Sequence, residues 1–238
     1  MLLVWPFCSF FLQKGGECLI QAEKKRWFIE LFAAYQRYYL LPRNFERVEA
    51  TGHVQVPEKP AIFIANHSSW WDGLLIFQAT EKHLEGNHYM LMAQEGLETY
   101  RFFRKLGAFS IDKTRIRDVV ASLQYARQLL ESGSYIWLFP QGQILHQDQR
   151  PYLFEAGIGY LLHQKPVPVV PVTLHYHFGE EKKPIASLHF GEPIHEDWES
   201  MTRTSVSLYL SKLLEEQADE HKQTIIGGQH IEPQEQIS

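Results

Sequence analysis

Five short apolar runs punctuate the chain: residues 61–65 (AIFIA), 88–93 (HYMLMA), 108–111 (AFSI), 135–139 (YIWLF) and 167–176 (VPVVPVTLHY). Runs of this length, rich in β-branched and aromatic residues and bounded by turn-forming residues, read as buried strands. Helical periodicity fills the gaps. In RDVVASLQYARQLLESG, Val119, Val120, Leu123, Ala126, Leu129 and Leu130 form a stripe that Gly133 terminates. Strand–helix–strand repetition predicts an α/β fold, a mixed and largely parallel sheet flanked by helices.

The ends differ from this pattern. Residues 24–41 (KKRWFIELFAAYQRYYLL) space Trp27, Phe28, Leu31, Phe32, Tyr35, Tyr38 and Tyr39 as a helix does, and Pro42 is expected to stop it. With Lys24, Lys25 and Arg26 at one end, that helix suits a membrane surface. The opening MLLVWPFCSFFL is shorter than the roughly 18 to 20 apolar residues a spanning helix needs. It also lacks the basic start and small-residue cleavage site of a signal peptide. The expected organisation is therefore a membrane-associating amphipathic segment (1–44), one catalytic domain (45–221) and a flexible, aperiodic tail (222–238).

Composition narrows the function. With 45% hydrophobic residues the chain can bury a sizeable core, and 23 Lys plus Arg against 28 Asp plus Glu argue against nucleic acid as a partner. Cys8 and Cys18 have no metal-ligand spacing and are too few for a disulfide framework, which fits the cytoplasm. The histidines His175, His177 and His189 lack a carboxylate or cysteine at a recognisable spacing, so no metal is expected. A nucleophile elbow and a P-loop are also absent from the sequence.

Three constellations bear chemistry. After AIFIA come Asn66, His67 and Asp72. On a continuous helix a five-residue spacing would hold His67 and Asp72 about 140° apart, so contact requires a turn, which Ser68 and Ser69 favour. If Asp72 takes the N–H of one ring nitrogen, the other nitrogen of His67 can accept a proton from a hydroxyl or thiol. The competing reading is a helix start capped by Ser68 or Ser69 beside a structural histidine. YIWLFPQGQ runs from a strand into a turn with Gln141 and Gln143, where Gly142 permits close backbone approach to a ligand; an ordinary turn after a core strand would look the same. Around residues 108–111 Arg101, Arg104, Lys105, Lys113, Arg115 and Arg117 form a basic patch suited to phosphate, or a solvated helix face. Trp70 and Trp71 read as packing residues or as rings at a membrane interface.

In this order, the NHxxxxD stretch, the Gly-centred basic strand, FPxG and VPVVPV resemble the PlsC-like glycerolipid acyltransferase family over roughly residues 45–195. The resemblance implies the fold of that family, with His67 as general base and Asp72 as its orienter. Lys113 stands with Gly107 and Phe109 in the block that binds phosphate in the family, where an Arg is usual. Lys113, Arg115, Gln141, Gly142 and Gln143 are then expected around the acceptor, supported by Asn66, Gly73, Gly107 and Pro140. VPVVPV, with Pro168, Pro171 and Val172, would form core and acyl-chain wall. The implied reaction moves a fatty acyl group from acyl-CoA or acyl carrier protein to a lipid hydroxyl at the cytoplasmic face of a membrane, with no cofactor. A thioester hydrolase and a catalytically silent lipid-binding protein are the alternatives. The third block departs from the family's FPEGTR: Gln141, Gln143 and Ile144 replace its acidic, hydroxyl and basic residues. Ile144 cannot bind phosphate, so lysophosphatidic acid is expected to be a poorer acceptor than in an ordinary family member; the acceptor is a lysophosphatidic acid-type or a neutral or glycosylated lipid, with a neutral or phosphodiester one favoured.

Overall fold

A computed structural model describes residues 19–54, 57, 60–228 and 235–236. Its sheet has eight strands: β1 (Val48–Gly52), β2 (Ile62–Ala65), β3 (His88–Ala93), β4 (Ala108–Ile111), β5 (Tyr135–Leu138), β6 (Val169–Phe178), β7 (Pro184–Phe190) and the short β8 (Glu235–Gln236). Their order is β4-β3-β5-β2-β6-β7-β1-β8. The first five of that order run parallel, β7 is antiparallel to β6, and β1 lies parallel to β7. The expected strands fall in place, with β3 and β4 bounded as the sequence suggested. β1 and β7 were not anticipated.

Both faces of the sheet are covered, which explains why β2 and β5 are apolar or aromatic at every position. Phe63, Tyr135, Trp137, Val170 and Val172 pack with Leu75, Ile76 and Ala79 of α3 (Asp72–His83). On the other face Ile62, Ile64, Ile136, Leu138 and Val169 meet α6 (Ile116–Glu131), α7 (Gly157–Gln164) and α8 (Arg203–Ile226) through Leu123, Ala126, Leu161, Val206 and Leu210. The period-2 alternation of Ile62/Ile64 against Phe63/Ala65 is what divides one strand between two cores.

The N-terminal helix does not stop at Pro42. After α1 (Arg26–Tyr35) the backbone widens into a π-helical stretch, Gln36–Leu40, in which Leu41 N–H donates to the carbonyl of Gln36. Pro42 then sits in the first turn of α2 (Leu41–Asn44), where a missing N–H costs little. At the other end α8 continues to Ile226, several residues into the stretch read as a tail, and residues 235–236 pair with β1. Residues 1–18, with both cysteines and the apolar opening, lie outside the described residues. Two short helices, α4 (Gln94–Thr99) and α5 (Phe103–Leu106), carry the chain from β3 back to the start of β4.

Candidate active site

Neighbouring parallel strands β2 and β5 end side by side, and the turns after them meet. Ligand crevices of open α/β sheets form at these carboxyl ends. The first turn is built by Asn66 and Asp72. Asn66, buried, donates from Nδ2 to Leu174 O (3.0 Å) and accepts at Oδ1 from Leu174 N (2.7 Å). Its amide thereby imitates a peptide group and prolongs the β2–β6 ladder by one rung. Asp72, fully buried at the start of α3, accepts at Oδ2 from Ser68 N (2.7 Å) and Ser69 N (2.9 Å), which curls the chain back.

That curl brings His67 to Asp72: the Nδ1–Oδ2 distance is 2.8 Å. A carboxylate partner fixes the proton on Nδ1 and leaves Nε2 as the acceptor. The ring stacks on Phe139 from the second turn, centroids 4.1 Å apart and planes 14° off parallel. Neither serine caps α3, whose N-cap is Trp71; Ser69 Oγ accepts instead from Trp71 N (3.2 Å).

The second turn locks onto the first. Gln141 is buried, and its Oε1 accepts from the backbone N–H of His67 (2.8 Å), while Leu145 N donates to His67 O (2.9 Å). This residue was expected to face the acceptor; its amide instead holds the histidine's backbone. Gly142 has φ +69, and a Cβ there would run into Lys113 Nζ. Pro140 is buried and its carbonyl accepts from Glu155 N (2.8 Å).

Tyr176 was not anticipated. Its hydroxyl donates to the second oxygen of Asp72, Oδ1 (2.5 Å), and burial beside that carboxylate pushes the hydroxyl well above its ordinary pKa, so it remains a donor. The residue lies on β6, 104 positions along the chain from its partner. Only the strand order could have disclosed it.

His67 opens onto a cavity of about 370 Å³, lined by apolar side chains including Met90, Leu91, Ile111, Leu123, Leu138 and Ile158, with Trp70 and Tyr100 also on its wall. Lys113, Gly142, Gln143, Ile144 and Glu155 also line it. Residues 167–172 contribute nothing to that wall, contrary to the expectation for VPVVPV. β6 lies on the far side of β2 from β5, β3 and β4, and its valines are spent in the two cores. The basic patch is divided by β4. Lys113 follows the strand's carboxyl end, and its Nζ donates to Gly142 O and Glu155 Oε1, both at 2.9 Å. Arg104 and Lys105 precede the strand and face Glu23 and the ring of Phe28. Arg115 stands before α6, 4.0 Å from Asp118, and does not line the cavity. Gly107, with φ +114 at the end of α5, is likewise at the strand's other end, where a Cβ would press on His88 O. Gly73, in the first turn of α3, adjoins Met90 with ordinary room for a Cβ.

The model of the family described as Acyltransferase matches residues 47–175, which contain both turns and every strand that borders the cavity. The chain belongs to the acyltransferase family. Among curated relatives of the chain, a "Probable 1-acyl-sn-glycerol-3-phosphate acyltransferase" of Mycoplasma pneumoniae (strain ATCC 29342 / M129 / Subtype 1) is 27% identical over 122 residues, 50% of this chain and 46% of the relative. A protein of the same description from Mycoplasma genitalium (strain ATCC 33530 / DSM 19775 / NCTC 10195 / G37) is 26% identical over 123 residues, 50% of this chain and 45% of the relative. The chain thus spans about half the length of the curated relatives it matches.

Proposed function

We propose that the protein is an O-acyltransferase that moves a fatty acyl group from a thioester, acyl-CoA or acyl carrier protein, to the hydroxyl of a lipid. The observation that carries this reading is the His67–Asp72 contact at the mouth of an apolar cavity. Nε2 of His67 takes the acceptor's hydroxyl proton as the oxygen attacks the thioester carbonyl. Asp72 keeps the other ring nitrogen protonated and balances the imidazolium charge that develops. Collapse of the tetrahedral intermediate breaks the C–S bond, and His67 returns the proton to the departing thiolate. No covalent enzyme intermediate is needed.

The acyl chain enters from a bilayer in this reading. On α1 and the π-helical stretch Trp27, Leu31, Tyr35, Tyr38 and Tyr39 are exposed, an aromatic belt suited to the membrane interface. Phe32 of that helix touches Phe102, Phe102 touches Tyr100, and Tyr100 touches Trp70 at the cavity, a chain of rings from the helix to the site. No described helix is long and apolar enough to cross a membrane; the attachment proposed rests on these exposed rings and is peripheral, at the cytoplasmic face. The test supplies labelled palmitoyl-CoA with a panel of phosphorylated and neutral lipid alcohols. Ester formation lost in His67→Ala supports the reading; free acid alone identifies a hydrolase, and neither product leaves a binding protein.

A further inference from the structure

Within the described residues, the charged side chains on the cavity wall are two, Lys113 and Glu155, and they face each other. Lys113 Nζ gives one proton to the Glu155 carboxylate and one to the carbonyl of Gly142, so two of its three donors are committed. The backbone enforces the second contact, because the left-handed turn at Gly142 leaves no room for a side chain between them. Other cations are elsewhere: Arg104 and Lys105 at the far end of β4, Arg115 and Arg117 beside Asp118. Gln141, the uncharged residue in the third sequence block, turns its amide oxygen to His67 N. Where a further cation would complete an anion site, Ile144 stands half exposed on the wall.

The charged side chains on the cavity wall therefore sum to no net charge. A phosphomonoester would meet one spoken-for ammonium and a carboxylate of its own sign. What remains available is the second oxygen of Glu155, the third proton of Lys113 and the amide of Gln143, which lines the cavity and is exposed. Acceptors and donors of this kind match hydroxyl groups, each of which both gives and takes a hydrogen bond.

We propose that Glu155, by neutralising Lys113 at the cavity wall, selects an uncharged polyhydroxyl headgroup, glyceryl or glycosyl, over a phosphomonoester as the acyl acceptor. The proposal rests on the acyl-transfer reading above and adds the charge of the acceptor to it. Glu155 is a binding residue here, and its removal acts in opposite directions on the two acceptor classes. Without the carboxylate, Lys113 regains a free donor and its full charge for a phosphate; a sugar or glycerol loses an acceptor.

The experiment follows ester formation by the full chain from labelled palmitoyl-CoA in mixed micelles. Lysophosphatidic acid, monooleoylglycerol and an alkyl glucoside are compared at matched mole fraction, for the native sequence, Glu155→Gln and Glu155→Gln/Lys113→Ala. The native protein should favour the neutral acceptors. In Glu155→Gln, kcat/KM should rise about tenfold for lysophosphatidic acid and fall several-fold for the neutral lipids, a crossing that general damage to the fold would not produce. The double variant should lose the gain on lysophosphatidic acid. A native preference for lysophosphatidic acid, or equal losses on all acceptors in Glu155→Gln, overturns the proposal while leaving acyl transfer intact. If no acceptor yields ester that depends on His67, the acyl-transfer reading fails and takes this proposal with it.

Discussion

The hydroxyl of Tyr176 and Nδ1–H of His67 occupy opposite oxygens of one buried carboxylate, Asp72, at 2.5 and 2.8 Å. With Ser68 N and Ser69 N also on Oδ2, the anion is held by four donors and has no freedom to rotate. Tyr176→Phe removes one of them with little change of volume. Hydrogen bonds to charged groups contribute about 1.5 to 3 kcal/mol, so the variant should melt earlier and turn over about tenfold more slowly, with KM for the thioester nearly unchanged. Steady-state kinetics beside a thermal melt check this; native turnover in a destabilised Tyr176→Phe would show that the carboxylate needs no second anchor.

His67→Ala and Asp72→Asn should both lower turnover in a folded protein, the histidine by more. General-base catalysis contributes about 100- to 10,000-fold, and His67→Ala should lose an amount in that range. Circular dichroism confirms the fold of each variant, and near-native turnover in His67→Ala would remove it from the mechanism.

Gln141→Ala should cost activity without touching substrate. Its amide is the partner of His67 N, and a buried N–H left unpaired costs about 1 to 3 kcal/mol. Turnover should drop alike for every acceptor, charged or neutral, which separates a role in holding His67 from a role in acceptor binding.

The exposed rings of α1 and the π-helical stretch should govern recovery with liposomes. Trp27, Tyr35 and Tyr38 replaced together by serine should abolish most flotation and leave the melting temperature unchanged, since these side chains are exposed. Undiminished flotation would move the membrane contact to another surface.

Acid should loosen the packing of α8. His221 lies between Thr173 (3.0 Å) and Ser187 (2.8 Å), with His175 and His189 nearby. Burial lowers His221 to about 3 and His175 to about 4. Both folded values lie below the ordinary 6.5, so the unfolded chain binds protons first on acidification. Stability is then complete above about pH 6.5 and declines as pH falls toward 4, with His221 contributing a slope of up to about 1.4 kcal/mol per pH unit and the more exposed His175 less. Urea midpoints at pH 7 and pH 5 measure this, and His221→Gln should flatten the difference.

What the sequence discloses and what it conceals follow from range. β2 to β6 are readable because each is a local run of apolar residues bounded by turns. β1 (VEATG) and β7 (PIASLHF) carry small and polar residues, and pairing across the sheet, β7 with β6 and β1 with β7, is what makes strands of them. The His67–Asp72 contact is a five-residue matter that a turn argument reaches. Gln141 and Tyr176 act on that pair across 74 and 104 residues, through a strand order no local pattern encodes. The basic patch misleads for the converse reason: its members are close in sequence, and β4 carries them to opposite ends of itself.

The rung that Asn66 adds between β2 and β6 has a kinetic meaning. Sheet ladders ordinarily release the chain into a mobile loop, and a base on such a loop would have to be gathered into place at every turnover. Here the ladder extends through the residue immediately before His67, so the imidazole inherits the stiffness of the central sheet. The conformational entropy of placing it is settled at folding, and in the proposed reaction a substrate entering the cavity would meet a base already aimed.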